Sequence, residues 1–167
     1  SDNITLQGPI QKGKSSFIVS GRKTHVNLLI KNLIAASSNY SFYDMNAKMN
    51  YSLGSKDRLF FSFFKGSDHA GYSAANSLAY ATRFGNSTGT LRWNHLSGNK
   101  TFINTSIIYN DYHLALSTEQ NSFYSSIYTG ITDLAAKTEW TYIPNTKHKI
   151  KSGIQFTHHT INPAAFS

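Results

Sequence analysis

Between residues 43 and 53 the chain alternates without a break. Tyr43, Met45, Ala47, Met49, Tyr51 and Leu53 are apolar, while Asp44, Asn46, Lys48, Asn50 and Ser52 are polar or charged. A period of two sorts these sets onto opposite faces of a β-strand. The stretch is close to the roughly 9–11 residues that a tilted strand needs to cross a bilayer. Its polar face carries Asp44 and Lys48, which suits a water-filled lumen. The pattern predicts a membrane-crossing strand with its odd positions toward lipid.

Related patterns recur along the chain. Residues 4–8 and 16–22 predict two short strands, with Phe17 and Val19 on one face of the second. Residues 58–67 predict another, with Leu59, Phe61 and Phe63 aligned, although Phe60 and Phe64 make both of its faces apolar. Residues 86–96 place Leu91 and Trp93 opposite Arg92. Residues 101–116 place Ile103, Ile107 and Tyr109 on one face, and the apolar parity then crosses at Asp111 to Tyr112, Leu114 and Leu116. A strand that has left hydrocarbon no longer needs the pattern, so one membrane boundary falls near Tyr109. Residues 133–143 place Leu134, Ala136, Trp140 and Tyr142 opposite Asp133, Lys137 and Glu139. Residues 149–159 end the series, with Ile150, Ile154 and Phe156 aligned.

Tight polar turns are expected at 11–14, 54–57, 97–99 and 144–146. Longer loops are expected at 23–39, 68–85 and 119–129. Within the first, Val26, Leu29, Ile30, Leu33 and Ile34 have the spacing of one helical face and predict a short amphipathic helix. Alternating short and long connections fit an all-β, antiparallel up-and-down transmembrane barrel of about eight strands over residues 1–167. Aromatic residues near both ends of the strands supply girdles. A soluble barrel or sandwich with the apolar face as its core is the alternative, and it predicts shorter strands with fewer inward charges.

Composition changes this picture little. No apolar run approaches the roughly 18 residues of a membrane helix, and mean hydropathy is negative, as expected when half of every strand is polar. Aromatic residues make up 14% of the chain and charged residues also 14%, the latter low for a soluble domain. There is no cysteine, which excludes thiol catalysis and Cys-based zinc sites. The +8 net charge raises nucleic acid or anionic lipid as partners. Stacking on nucleic acid needs aromatic and basic side chains on one face, and here they alternate apart, so no nucleic-acid partner is expected. The chain opens at Ser1 without a signal-like segment and is expected to be a processed or excised piece.

Three stretches resemble the early barrel strands of outer-membrane TonB-dependent receptors, especially of the Bacteroidetes type. They are Leu6-Gln7-Gly8-Pro9-Ile10 with residues 14–22, then Phe42 to Lys48 running into Lys56-Asp57-Arg58-Leu59, then Phe84-Gly85-Asn86 with Leu91-Arg92-Trp93-Asn94-His95. Tyr109-Asn110-Asp111-Tyr112 and Tyr142-Ile143-Pro144-Asn145 continue the match in order. The resemblance implies a Gram-negative outer-membrane importer of a scarce nutrient (siderophore, cobalamin, glycan or peptide), with a barrel of about 22 strands. It also implies a plug, coupling to the TonB complex, and room for a surface lipoprotein partner. The chain lacks a plug and a TonB-contacting segment, so it is expected to be part of the barrel only. A complete eight-stranded barrel serving as anchor or adhesin is the alternative.

The expected facing follows from the alternation. Lumen candidates are Asp44, Lys48, Arg92, Lys137 and Glu139; lipid candidates are Met45, Met49, Tyr51, Leu91, Trp93, Trp140 and Tyr142. No catalytic, cofactor or metal residues are expected. The seven histidines lack ligand spacing, and the adjacent His158 and His159 point to opposite faces. No nucleophile-elbow glycine pattern anchors a hydrolytic Ser/His/Asp set.

Overall fold

A computed structural model describes residues 1–24, 38–73, 78–121 and 123–166. They form eight strands: β1 (Asp2–Gln11), β2 (Ser15–Thr24), β3 (Ser38–Ser52), β4 (Asp57–Ser73), β5 (Ala79–Ser97), β6 (Thr101–Gln120), β7 (Phe123–Asn145) and β8 (His148–Phe166). They join in one sheet in sequence order, β1 to β8, each antiparallel to the next. Among the described residues no ladder joins β1 to β8, so the sheet is not closed.

Sequential antiparallel strands put alternate connections at opposite ends. One end holds the four tight turns, built by residues that suit them. Gly13 and Gly98 adopt φ of +73° and +69°, the left-handed region that glycine enters without steric cost. The Lys14 N–H closes the first turn onto the Gln11 carbonyl at 3.0 Å. In the last turn, Asn145 Oδ1 accepts the backbone N–H groups of Lys147 and His148, each at 3.0 Å.

The opposite end departs from expectation. Residues 68–85 are not a loop: β4 continues through Ser73 and β5 already begins at Ala79. Nor are residues 119–129, because β6 reaches Gln120 and β7 starts at Phe123, with Asn121 turning at φ 46°. Small and polar residues weaken the period-two signal there, but the backbone ladder runs unbroken through Ser73↔Ala79 and Gln120↔Phe123. The expected helix over 26–34 falls on residues 25–37, outside the described set, and the described residues contain no helix. β2 and β3 extend to Thr24 and from Ser38 on either side of it.

The sheet has no core of its own. Among the described residues Ala135 is the one buried apolar side chain, and none is completely buried. Met45, Met49, Leu91, Trp93 and Ile107 are each 40–53% exposed. A soluble domain of this length would bury most such groups against a second layer. Here the described strands form a single layer with both faces uncovered.

Candidate functional site

The register decides which residues share a face, since directly paired residues project to the same side. One row crosses all eight strands as Gly8, Phe17, Met49, Phe61, Leu91, Ile107, Ala136 and Phe156. The next row on that face runs Leu6, Val19, Ala47, Phe63, Gly89, Tyr109 and Leu134, ending at His158. All seven residues expected to face lipid lie on this side. Together they make a continuous apolar belt, far larger than the scattered patches of a soluble monomer.

The opposite face carries the expected lumen residues. A row of Ser16, Asn50, Phe60, Arg92, Ser106, Lys137 and Gln155 runs beside one of Gln7, Ile18, Lys48, Ser62, Thr90, Ile108, Ala135 and Thr157. Gln7, Lys48, Ser62 and Arg92, from four different strands, line one cleft of about 760 Å³. The face that bears this cleft is termed inner, and the belt face outer. Asp44 is held by Arg22, whose Nε–H donates to Asp44 Oδ2 at 2.8 Å while its Nη2 lies 2.6 Å from the same oxygen. Lys137 and Glu139 pair at 3.0 Å and line a second cleft of about 500 Å³ with Lys151 and Gln155. Periodicity alone missed Arg22, whose role depends on the β2–β3 register Arg22↔Asp44.

Near the tight turns, Asp57 gathers two neighbours across the β4–β5 pair. Trp93 Nε1–H donates to Asp57 Oδ1 at 2.9 Å, and His95 Nδ1 lies 2.7 Å from the same oxygen. The His95 hydrogen bond holds the Asp57 carboxyl below its ordinary range; the Trp93 N–H and the charges of His95 and Lys56 add to this, against a desolvation cost. A carboxyl depressed in the fold stabilises it above the unfolded value of about 3.9. That contribution is lost as pH falls through the lower folded value. In a background whose other tryptophans, Trp140 included, are changed to Phe, a step in Trp93 emission is therefore expected below pH about 3.9. Asp57→Asn should abolish it, and an unchanged step in that variant would refute the linkage.

The two faces exchange character toward the other end. Beyond Tyr109, the belt face presents Asp111 and His113 on β6, Lys65, Ser67 and His69 on β4, and Arg83, Gly85 and Ser87 on β5. The inner face becomes apolar there, with Phe84, Tyr112 and Leu114, and Tyr72 stacks on Tyr80 at 5.4 Å. The crossing at Asp111 thus falls within one continuous strand. His158 and His159 lie on opposite faces, paired with Leu134 and Asp133. Among the described residues no three His, Asp or Glu groups gather as a metal site.

No protein-family model and no curated protein matches the chain. Among solved structures it is similar to the ferric yersiniabactin uptake receptor of Yersinia pestis, at 12% identity and a TM-score of 0.64. The likeness covers 99% of this chain and 33% of that receptor, so the chain spans about a third of its length. Identity this low shows a shared fold: an antiparallel run of barrel-wall strands.

Proposed function

We propose that this chain is a stretch of barrel wall from an outer-membrane TonB-dependent receptor that imports a scarce nutrient. The observation that carries the proposal is the unclosed eight-stranded sheet with an unbroken apolar row outside and charged clefts inside. The likeness over 99% of the chain to an uptake receptor's fold supports it. Met45, Met49, Tyr51, Leu91, Trp93, Trp140 and Tyr142 then face lipid, while Asp44, Lys48, Arg92, Lys137 and Glu139 face the lumen. Strand length is consistent with this. β7, at 23 residues, extends about 75 Å, or roughly 55 Å along the membrane normal at a tilt near 45°. An apolar band of about 25 Å leaves much of that strand standing in water, where the two faces exchange polarity.

In the whole receptor, the upper ends of the strands and their connections would meet the ligand. A plug driven through the TonB complex would release it inward. This stretch of wall supplies the lumen lining and performs no chemistry. A ferric siderophore is the first ligand class to try, because the matched receptor takes one. The test is uptake of iron–siderophore complexes by cells with and without the full-length protein, each with and without a protonophore. Protein-dependent uptake that ignores the protonophore would overturn energised import.

A second measurement separates a slice of a large barrel from a closed eight-stranded one. The chain has no cysteine of its own. In the full-length protein, with any cysteine elsewhere replaced by serine, Thr5→Cys can be combined with Gln155→Cys, Thr157→Cys or His159→Cys. Disulfides need Cα atoms within about 7 Å, so no bridge should form between edges that pair with other strands. A bridge in any of the three would promote the small-barrel alternative.

A further inference from the structure

Just beyond the apolar belt, on the same outer face, lies a groove of about 440 Å³ that spans β3 to β6. Its floor is Ser67, directly paired with Gly85, over which the His113 ring lies. Around them stand Lys65 and Arg83, with the imidazoles of His69 and His113. His69 pairs directly with Arg83, and His113 with Gly85. These groups come from three strands, and only the register brings them together.

The charge in the groove is one-sided. Among the described residues, neither Lys65 nor Arg83 forms an ion pair with a carboxylate. The nearest acid on this face, Asp111, is already engaged by His113 Nδ1 at 3.2 Å and by the Thr132 hydroxyl at 3.0 Å. Glu119 on this face pairs with Ala79, two rows beyond Arg83. The Nδ1 atom of His69 is buried with no hydrogen-bond partner. Two permanent cations, one of them a guanidinium fork, and the Ser67 hydroxyl at the floor match a phosphate.

Position selects the source of that phosphate. The groove is centred on the row Tyr43, Ser67, Gly85 and His113, two rows past Ala47, Phe63, Gly89 and Tyr109. Same-face rows are about 7 Å apart along a strand, so the groove lies about 10 Å beyond the belt once tilt is allowed for. The headgroup layer is about 5–8 Å deep on each side of the hydrocarbon, so Lys65 and Ser87, one row and about 5 Å past the belt, lie within it, and the groove opens from its outer edge. A ligand in the groove can lay acyl chains down the apolar rows directly beneath it. We propose that this groove binds the phosphate of a lipid headgroup in the adjacent leaflet and holds that lipid against the outer wall of the barrel.

The inference rests on the outer-face-to-lipid assignment above, and its test keeps the two apart. The full-length protein in neutral detergent is titrated with dioleoyl phosphatidic acid, dioleoylglycerol and glycerol phosphate, and bound lipid is counted by native mass spectrometry. The double variant Lys65→Ala/Arg83→Ala should weaken phosphatidic acid binding roughly 10–100-fold. Lys56→Ala/Lys100→Ala, at the tight-turn end, should leave it within twofold. Ser67→Phe, which fills the floor without changing charge, should weaken it as the double variant does. Dioleoylglycerol should bind all variants alike, and glycerol phosphate should bind at least tenfold more weakly than the lipid. Unchanged phosphatidic acid binding in both groove variants would overturn the proposal. Glycerol phosphate binding as tightly as the lipid would assign the groove to free phosphate and overturn the lipid source. A protein that folds fully without detergent would instead overturn the membrane assignment itself.

Discussion

Met49→Arg should destabilise the inserted barrel by roughly 1–3 kcal/mol, between the cost of a cation at the interface and at the bilayer midplane. Met49 is the place to make the change. It sits mid-belt on β3, paired with Phe17 on one side and Phe61 on the other, and is 42% exposed with no protein layer above it. An arginine there cannot reach water without crossing a further row of the belt in either direction. Lys48→Ser, one residue earlier, should cost little. Lys48 is exposed in the polar cleft beside Gln7, Ser62 and Arg92, where one polar side chain can replace another. Equilibrium urea unfolding of the full-length protein in lipid vesicles measures both.

A buried soluble core would also suffer from Met49→Arg, so folding with and without detergent must accompany the measurement. Wild-type protein that folds fully in plain buffer, with Met45, Met49 and Tyr51 covered by protein, would refute the lipid-facing assignment. A Met49→Arg cost near zero in vesicles would refute it as well.

Gly85→Ala should cost about 1–3 kcal/mol, the range for forcing atoms into a filled site. Gly85 is buried although it lies on the outer face of the sheet, because the His113 ring lies across it from the neighbouring strand. A Cβ built on Gly85 would overlap the Cε1 and Nε2 atoms of that ring. His113 cannot turn aside freely. Its Nδ1 is tied to Asp111, and its ring stacks near Tyr128 at 6.3 Å. An aromatic ring covering a strand glycine on its partner is a known way of holding a strand pair together.

The double variant Gly85→Ala/His113→Ala should therefore recover most of the Gly85→Ala loss. A coupling of about 0.5–3 kcal/mol is expected for residues in contact. Purely additive losses would show that the ring does not cover the glycine in solution.

Alternation makes the belt legible in the amino-acid sequence itself. Residues 43–53 can satisfy lipid on one side and water on the other only as a strand, because a period of two is the one backbone geometry that separates those sets. The turns at Gly13, Gly98 and Asn145 are legible for a similar reason, since each needs a residue whose backbone or side chain suits a reversal. Legibility fails where the environment stops discriminating between the faces. Residues 68–85 and 119–129 read as loops because small and polar residues there carry no period, and only the ladder to their neighbours makes them strands.

Convergence lies beyond the sequence altogether. Arg22 meets Asp44 across β2 and β3, and Trp93 and His95 meet Asp57 across β4 and β5. Lys65, Arg83 and His113 gather from three strands spread over the middle of the chain. A residue's own pattern fixes which face it occupies, because that depends only on its parity along the strand. Which partner stands beside it depends on register, and register is fixed only when a whole strand pairs with the next.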